Sequence, residues 1–332
     1  MNVLSLFDGM SCGQIALNKN NIKIDNYYSS EIEKNPMMVT KYNFPNTIFV
    51  GDVRNLDIKK LKKIDLLIGG SPCQSFSFAG KRNGMTTKTN IEIKTLNEYL
   101  SLKKEGFEFE GQSYLFWEYM RIYSELKKIN PNIQFLLENV IMAEKWKNVI
   151  SASIGVEPLE INSSLVSAQN RRRLYWTNIQ NIEQPKNLNI NLKDILEDDT
   201  FSNKATILGR RIDTNGKRKD FNKEIPIVQC LEVRNSNINK SNCLTTVSKD
   251  NVLTNLPVGR YIDVYGNNIP YRNYTCIETE RLQTVPDNYT KFGIKNNEKI
   301  EISKSARIKM LGNGWTINVI SHILKNLQKD TF

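Results

Sequence analysis

Histidine is nearly absent from this chain of 332 residues, which holds one, His322. It sits in VISHILKNL among aliphatic residues at helical spacing and reads as a packed helix residue. Cys-His and Ser-His-Asp hydrolases, His-ligated metal sites and histidine proton shuttles all require a placed histidine, so none of them is expected, and no metal is called for. Cysteine is scarce as well. Cys12, Cys73, Cys230, Cys243 and Cys276 are odd in number and include no C-x-x-C pair, which argues against a zinc knuckle and against a disulfide framework. No run approaches the roughly 18 apolar residues of a membrane span, and MNVLSLFDG has no basic region ahead of a long apolar core. A reducing, cytoplasmic setting and no membrane partner are expected.

Acidic residues are outnumbered, 35 Asp and Glu against 46 Lys and Arg, for a net charge of +11. That balance suits a protein that meets a polyanion, nucleic acid first among them, although excess lysines can also simply solvate a surface. The 39% hydrophobic content is enough for one large domain with a smaller companion.

The order of patterns is alternating. VLSLF (3–7) reads as a buried strand, followed by the turn DGMSCG and a helix over Cys12 to Asn20. YYSSE (27–31), TIFVGD (47–52), DLLIGG (65–70), QFLLEN (134–139) and RLYWTNI (173–179) read as further strands, and Tyr114 to Ile129 as an amphipathic helix stopped at Asn130 and Pro131. Strands alternating with helices imply an α/β fold, a doubly wound and mostly parallel sheet. From about residue 181 short segments rich in Asn and Lys suggest a second, β-rich region, and helical patterns return at Ser303 to Leu311 and Ile317 to Leu327.

In such a sheet ligands sit at the carboxyl ends of the strands. There the chain places FDGMSCG (7–13), whose Gly9 and Gly13 would let backbone approach a ligand and whose Asp8 is an acceptor, then Glu31 and Asp52 at the ends of the second and third strands. A carboxylate about twenty residues beyond a glycine turn suits a ribose, and Asp52 suits an adenine amino group; both acids are otherwise solvated loop residues. In GGSPCQSFSFAG (69–80) a thiol, Cys73, stands directly behind Pro72 at a strand tip, a poor position for a buried structural cysteine.

FDGMSCG, SSEIEKN, VGDVRNL, GGSPCQSFS, LLENV, QNRRRLYW, ERLQTVPDNY and LGNGWTINV follow one another in an order and spacing that resembles the DNA (cytosine-5)-methyltransferase family, closest to the phage and bacterial enzymes and the animal de novo branch. The resemblance implies a Rossmann-like S-adenosylmethionine-binding domain over 1–185 and 303–332 and a β-rich target-recognition domain over 186–302. It implies cofactor contacts from Phe7, Asp8, Gly9, Gly13, Glu31, Ile32, Asp52, Val53, Pro72, Asn313 and Trp315. Ser11 stands where a second glycine is common, and Ile32 where an aromatic residue is common. The implied partner is double-stranded DNA. The chain is expected to be a minimal prokaryotic or phage enzyme and a monomer, and a cognate restriction endonuclease is allowed without being required.

The implied chemistry answers what Cys73 is for. Its thiolate adds to C6 of a flipped-out cytosine, C5 takes the methyl group of S-adenosylmethionine, a proton leaves C5 and the thiol is expelled. Glu138, at the end of a buried strand, is the group expected to meet N3 of the ring. Arg171 and Arg173 complete the catalytic set, with Arg171 the better placed of the two. Gln74, Ser75 and Gln169 are expected at the DNA, and Arg210, Arg211, Arg218 and Arg234 at its phosphates. Residues 75–112, which include KRNGMTTKT, suit a mobile loop, and the insertion at 86–111 is either a DNA contact or a small surface helix. Two other readings remain at this point: a tRNA cytosine-5 methyltransferase, whose Cys-Phe-Thr signature is not present, and a non-catalytic DNA-binding relative.

Overall fold

The computed structural model describes residues 1–72, 84–198, 200–201, 203–234 and 240–327. The first domain winds as β1 (Asn2–Leu6), α1 (Cys12–Lys19), β2 (Asn26–Ser30), α2 (Lys34–Asn43), β3 (Ile48–Phe49), β4 (Leu66–Gly70), α3 (Leu96–Lys104), α4 (Phe116–Ile129), β5 (Gln134–Val140), α5 (Glu144–Ile154), β6 (Leu159–Asn162) and β7 (Arg172–Thr177). Strand order is β3-β2-β1-β4-β5-β7-β6. Neighbours are parallel except β7, which runs antiparallel between β5 and β6.

Helices cover both faces, so the central strands are apolar on both sides rather than alternating. Val3 and Leu4 are buried on opposite faces of β1, in two separate cores. One core takes Trp117, Tyr119 and Phe135 with the α4 face; the other takes Leu17, Ile68 and Ile320 beneath α1 and the last helix. The winding direction reverses between β1 and β4, and the loops leaving their carboxyl ends diverge there to form the crevice in which such folds bind ligands. The third strand is shorter than TIFVGD suggests, because Gly51 turns the chain with φ 77° and Asp52 caps a single 3-10 turn.

The expected β-rich region is a five-stranded antiparallel sheet of β8 (Asn203–Arg211), β9 (Ile227–Val233), β10 (Val252–Thr254), β11 (Gly259–Tyr261) and β12 (Arg272–Asn273), in the order β11-β9-β8-β10-β12. It closes over its own core of Ile207, Leu231, Val233, Val252 and Val264. After α6 (Cys276–Leu282) the chain rejoins the first domain earlier than residue 303. Val285, Tyr289 and Ile302 share the core of Leu17 and Ile320, and the hairpin of β13 (Phe292–Lys295) and β14 (Glu298–Glu301) lies so close to α2 that a Cβ at Gly293 would meet Met38 at 2.9 Å. Helices α7 (Lys304–Asn313) and α8 (Ile317–Leu324) close the chain, and α8 packs on α1.

The insertion is folded onto the domain. Tyr99 of α3 is buried, stacks near Phe109 and donates to the buried Glu118 of α4 at 2.6 Å; Lys103 ion-pairs with the same carboxylate. From Gly84 onward the described part of the segment expected to be a mobile loop is folded against the domain, with Met85, Thr86, Thr87, Ile93 and Tyr99 buried. No helix among the described residues is long and apolar enough to cross a membrane.

Candidate active site

The loop after β1 is held in a costly shape. Phe7, Gly9 and Ser11 all have left-handed φ, at 56°, 59° and 61°, and the non-glycine residues pay about 1 kcal/mol or more each for it. Asp8 supplies the compensation: its buried carboxylate accepts from Tyr27 OH at 2.7 Å, Ser29 Oγ at 2.8 Å and Ser11 Oγ at 2.5 Å. Burial pushes its pKa up, against the pull of these hydroxyls. Asp8 thus shapes the loop from inside, and its side chain would have to give up one of these bonds to reach a ligand. Tyr289 pins the same loop by donating to the Met10 carbonyl at 2.7 Å.

The two loop glycines serve different ends. A Cβ at Gly9 would meet nothing within 4 Å, so this backbone faces open space. A Cβ at Gly13 would strike Ile68 Cδ1 at 2.3 Å and Tyr27 OH at 2.7 Å, so Gly13 lets α1 lie against the sheet rather than a ligand against the chain.

Along the same rim, Glu31 receives the Gly9 amide on Oε2 at 2.7 Å and the Ile32 and Glu33 amides on Oε1 at 2.7 and 2.8 Å. Ile32 is 61% exposed beside it. Asp52 grips the Arg54 guanidinium through both oxygens and accepts its amide at 2.9 Å; the Arg54 hydrogen bond is the chief cause of its lowered pKa. Val53 is buried and Asn313 exposed at the end of α7. Open backbone at Gly9, a carboxylate with a free lone pair at Glu31 and an uncovered aliphatic surface at Ile32 fit the hydroxyls and flat base of a nucleoside.

Across the crevice, β4 ends in Gly70, Ser71 and Pro72. Cys73, Gln74 and Ser75 lie outside the described residues, but Ser71, two residues ahead of Cys73, is held: Asn139 Nδ2 donates to Ser71 O at 3.2 Å and lies 3.0 Å from Ser71 Oγ. Glu138 pairs in register with Gly70. Its Oε1 lies 3.1 Å from Arg173 Nε, its Oε2 accepts from Trp315 Nε1 at 3.2 Å, and the residue is 9% exposed. Gly70 makes this possible. A Cβ there would stand 2.9 Å from Trp315 Nε1 and 3.0 Å from Glu138 Oε2.

The arginines divide differently from expectation. Arg173 is the one on Glu138. Arg171 is buried and donates to Leu244 O at 3.1 Å, Gly312 O at 3.3 Å, Gly314 O at 2.9 Å and Cys243 Sγ at 3.3 Å, so it ties the 243–244 segment to the GNG segment. Burial alone would raise the Cys243 thiol, but Arg171 and Arg173 overcome it and its pKa is lowered. Gln169, expected at the DNA, is fully buried: it donates to Leu282 O at 2.6 Å and Gln283 Oε1 at 2.8 Å and accepts the Leu244 amide. Gln283 in turn holds Leu311 O, Gly314 O and Thr316.

Comparison with known proteins matches these features to one family over residues 1–329, described as C-5 cytosine-specific DNA methylase. The chain belongs to that family. Similar curated proteins include the type II methyltransferase M.Bsp6I of Bacillus sp. strain RFL6, 27% identical over 60% of this chain and 62% of that protein. The orphan methyltransferase M.SPRI of Bacillus phage SPR is 32% identical over 59% of this chain and 42% of that protein. The chain thus spans less than two thirds of the length of these relatives. Among solved structures, the methyltransferase EhMeth of Entamoeba histolytica shares the fold, with a TM-score of 0.62 and 14% identity over 100% of this chain and 99% of that one.

In this member of the cytosine-5 family the four arginines expected at DNA phosphates are engaged within the protein. Arg210 pairs with Glu232 at 2.9 Å, Arg234 with Glu232 at 2.9 Å, Arg218 with Asp220, and Arg211 donates to the carbonyls of Lys223 and Ile225. Arg210 and Arg211 brace the sheet, while Arg218 and Arg234 keep about half or more of their surface in solvent. Asn139, Gly70, Gln283, Tyr289 and Cys243 are contributors that sequence reading missed. The Asn beside Glu138 and the glycine pair before Ser-Pro-Cys were visible signals; Cys243 had none.

Proposed function

We propose that this protein methylates C5 of cytosine in double-stranded DNA, using Cys73 as nucleophile, Glu138 as the acid that meets N3, and S-adenosylmethionine as methyl donor. The observation that supports it most is the Glu138 carboxylate, set at the carboxyl end of a central strand beside the Ser-Pro-Cys root and gripped by Arg173 and Trp315.

The residues divide the work as follows. The thiolate of Cys73 bonds to C6 of an extruded cytosine, and the electron pair of the C5–C6 double bond moves into the ring toward N3. Glu138 delivers a proton or hydrogen bond there, which keeps negative charge from building on the base. Arg173 fixes the carboxylate's orientation, and the Asn139–Ser71 contact holds Ser71, two residues ahead of the nucleophile. Gly9, Glu31, Ile32 and Asp52 would hold the cofactor, with Trp315 and Asn313 closing from the other side. When bound, it supplies an electrophilic methyl group to C5. Loss of the C5 proton then restores the double bond and expels the Cys73 sulfur. The target atom is shielded in a stacked duplex, so the base must leave the helix, at a cost of roughly a few kcal/mol. The reading places the protein in the cytoplasm of a bacterium or phage host, as a monomer.

The test is base-resolution mapping of 5-methylcytosine in a methylation-free bacterial host expressing wild type or Cys73→Ala. Methylation at one short motif with wild type alone is the expected result. Soluble wild-type protein with an unmethylated genome would redirect the search to RNA.

A further inference from the structure

The excursion between β8 and β9, residues 212–226, carries an arrangement that the methyl-transfer site does not use. Phe221, in the turn by which the excursion returns past the end of β8, is 100% exposed, whereas the next most exposed large hydrophobic side chain among the described residues, Ile32, is 61% exposed. The ring makes no contribution to the core, so the free energy of covering it is unrealised in the isolated chain.

That turn is braced rather than loose. The Lys219 amide donates to Arg211 O at 2.7 Å, the Arg211 amide to Asp220 Oδ1 at 3.2 Å, and the Arg211 guanidinium reaches the carbonyls of Lys223 and Ile225. Asp220 also holds Arg218 and, at 3.6 Å, Arg210. In the same excursion Lys217, Arg218, Lys219 and Lys223 are exposed, and the three lysines carry no ion pair among the described residues. Arg218, Lys219, Asp220, Phe221 and Asn222 line a shallow hollow beside it.

An aromatic ring standing clear among unpaired cations matches a stacked nucleobase with its flanking phosphates. Aromatic side chains take a base face or wedge into a base step, and lysines neutralise the backbone beside it. The turn is also separated from the chemistry. Asn242, beside the Cys243 that Arg173 of the Glu138 pair contacts, reaches Thr206 of β8, and the five residues from there to Arg211, on which the turn rests, span roughly 17 Å of strand.

We infer that Phe221 is a base-stacking wedge of the recognition domain, entering a step of duplex DNA that flanks the target cytosine, with Lys217, Lys219 and Lys223 on the neighbouring phosphates. The inference rests on the DNA reading above and adds to it a contact away from the extruded base.

The experiment compares wild type, Phe221→Ala, Phe221→Trp and the double variant Lys219→Ala/Lys223→Ala for binding to a long mixed-sequence duplex across a salt series. Phe221→Ala is expected to lose about tenfold in affinity with the salt slope unchanged, and Phe221→Trp to recover it to within about twofold. The lysine variant is expected to flatten the slope by roughly two phosphate contacts. Thermal unfolding and S-adenosylmethionine affinity should be unchanged, since the ring packs against nothing. Affinity of Phe221→Ala within about twofold of a wild type that binds and methylates DNA overturns the inference and leaves the DNA reading intact; so does a loss that Trp does not restore. A wild type that neither binds nor methylates duplex DNA overturns the reading itself.

Discussion

The indole Nε1 of Trp315 donates to Oε2 of Glu138 at 3.2 Å across 177 residues of chain, through space that exists only because residue 70 is glycine. The late GNGWT segment therefore reaches the candidate acid as well as Met10 and Cys12 of the loop after β1. Replacing Trp315 by Phe keeps the ring and removes one hydrogen bond. The expected outcome is a fall in kcat of about tenfold, the weight of one hydrogen bond to a charged group, with KM for S-adenosylmethionine moved less than about threefold. Steady-state kinetics checks this, and an equal loss in both would make Trp315 a cofactor contact alone.

Gly70→Ala tests the same space from the other side. The added methyl group must displace either the indole or the carboxylate, so the single-turnover methylation rate should fall by about 100-fold or more. Fluorescence-monitored urea unfolding should show a smaller change, within about 2 kcal/mol, because Glu138 and Trp315 can move toward solvent.

Arg171 and Arg173 should separate cleanly. Arg171→Ala leaves the carbonyls of Leu244, Gly312 and Gly314 without this donor and is expected to cost about 3 kcal/mol of stability. Arg173→Ala frees the Glu138 carboxylate and is expected to cost methylation rate more than stability. Paired measurements of Tm and single-turnover rate decide it; a reversed pattern would return Arg171 to the chemistry.

Glu232 gathers the guanidiniums of Arg210, Arg234 and Arg260 at 2.9, 2.9 and 3.2 Å. Burial works to raise its pKa, but hydrogen bonds from Arg210 and Arg234 prevail and lower it from 4.5 to about 2. With the folded value below the unfolded one, the stabilisation is complete above about pH 4.5 and is lost as pH falls through about 2. Glu232→Gln should therefore be less stable than wild type by about 3 kcal/mol near neutrality, and the gap should narrow as pH falls through that window. Denaturant unfolding at a series of pH values reads this directly.

Much of the first domain was legible because its signals are local. VLSLF and DLLIGG are unbroken apolar runs that suit strands covered on both faces, and the residues after them fall at strand ends wherever those strands sit. The placement of FDG, of the Ser-Pro-Cys root and of Glu138 followed from that alone. The insertion was less readable: Tyr99 and Lys103 look like ordinary surface-helix residues until Glu118, nineteen residues from Tyr99, is folded beneath them.

What the sequence by itself determined is the set of chemical groups and their attachment to strand ends: a thiol behind a proline, a carboxylate closing a buried strand, glycine turns where a nucleoside fits. Only the tertiary structure decided which of them meet. QNRRR offers three arginines with nothing local to rank them. The antiparallel register that pairs Val140 with Arg173 and Glu138 with Tyr175 puts Arg173 diagonal to Glu138 on one face of the sheet, while Arg171, ahead of the strand, turns to the GNG turn instead. Register and the return of a distant segment are set by packing over the whole chain, and no window of neighbouring residues contains them.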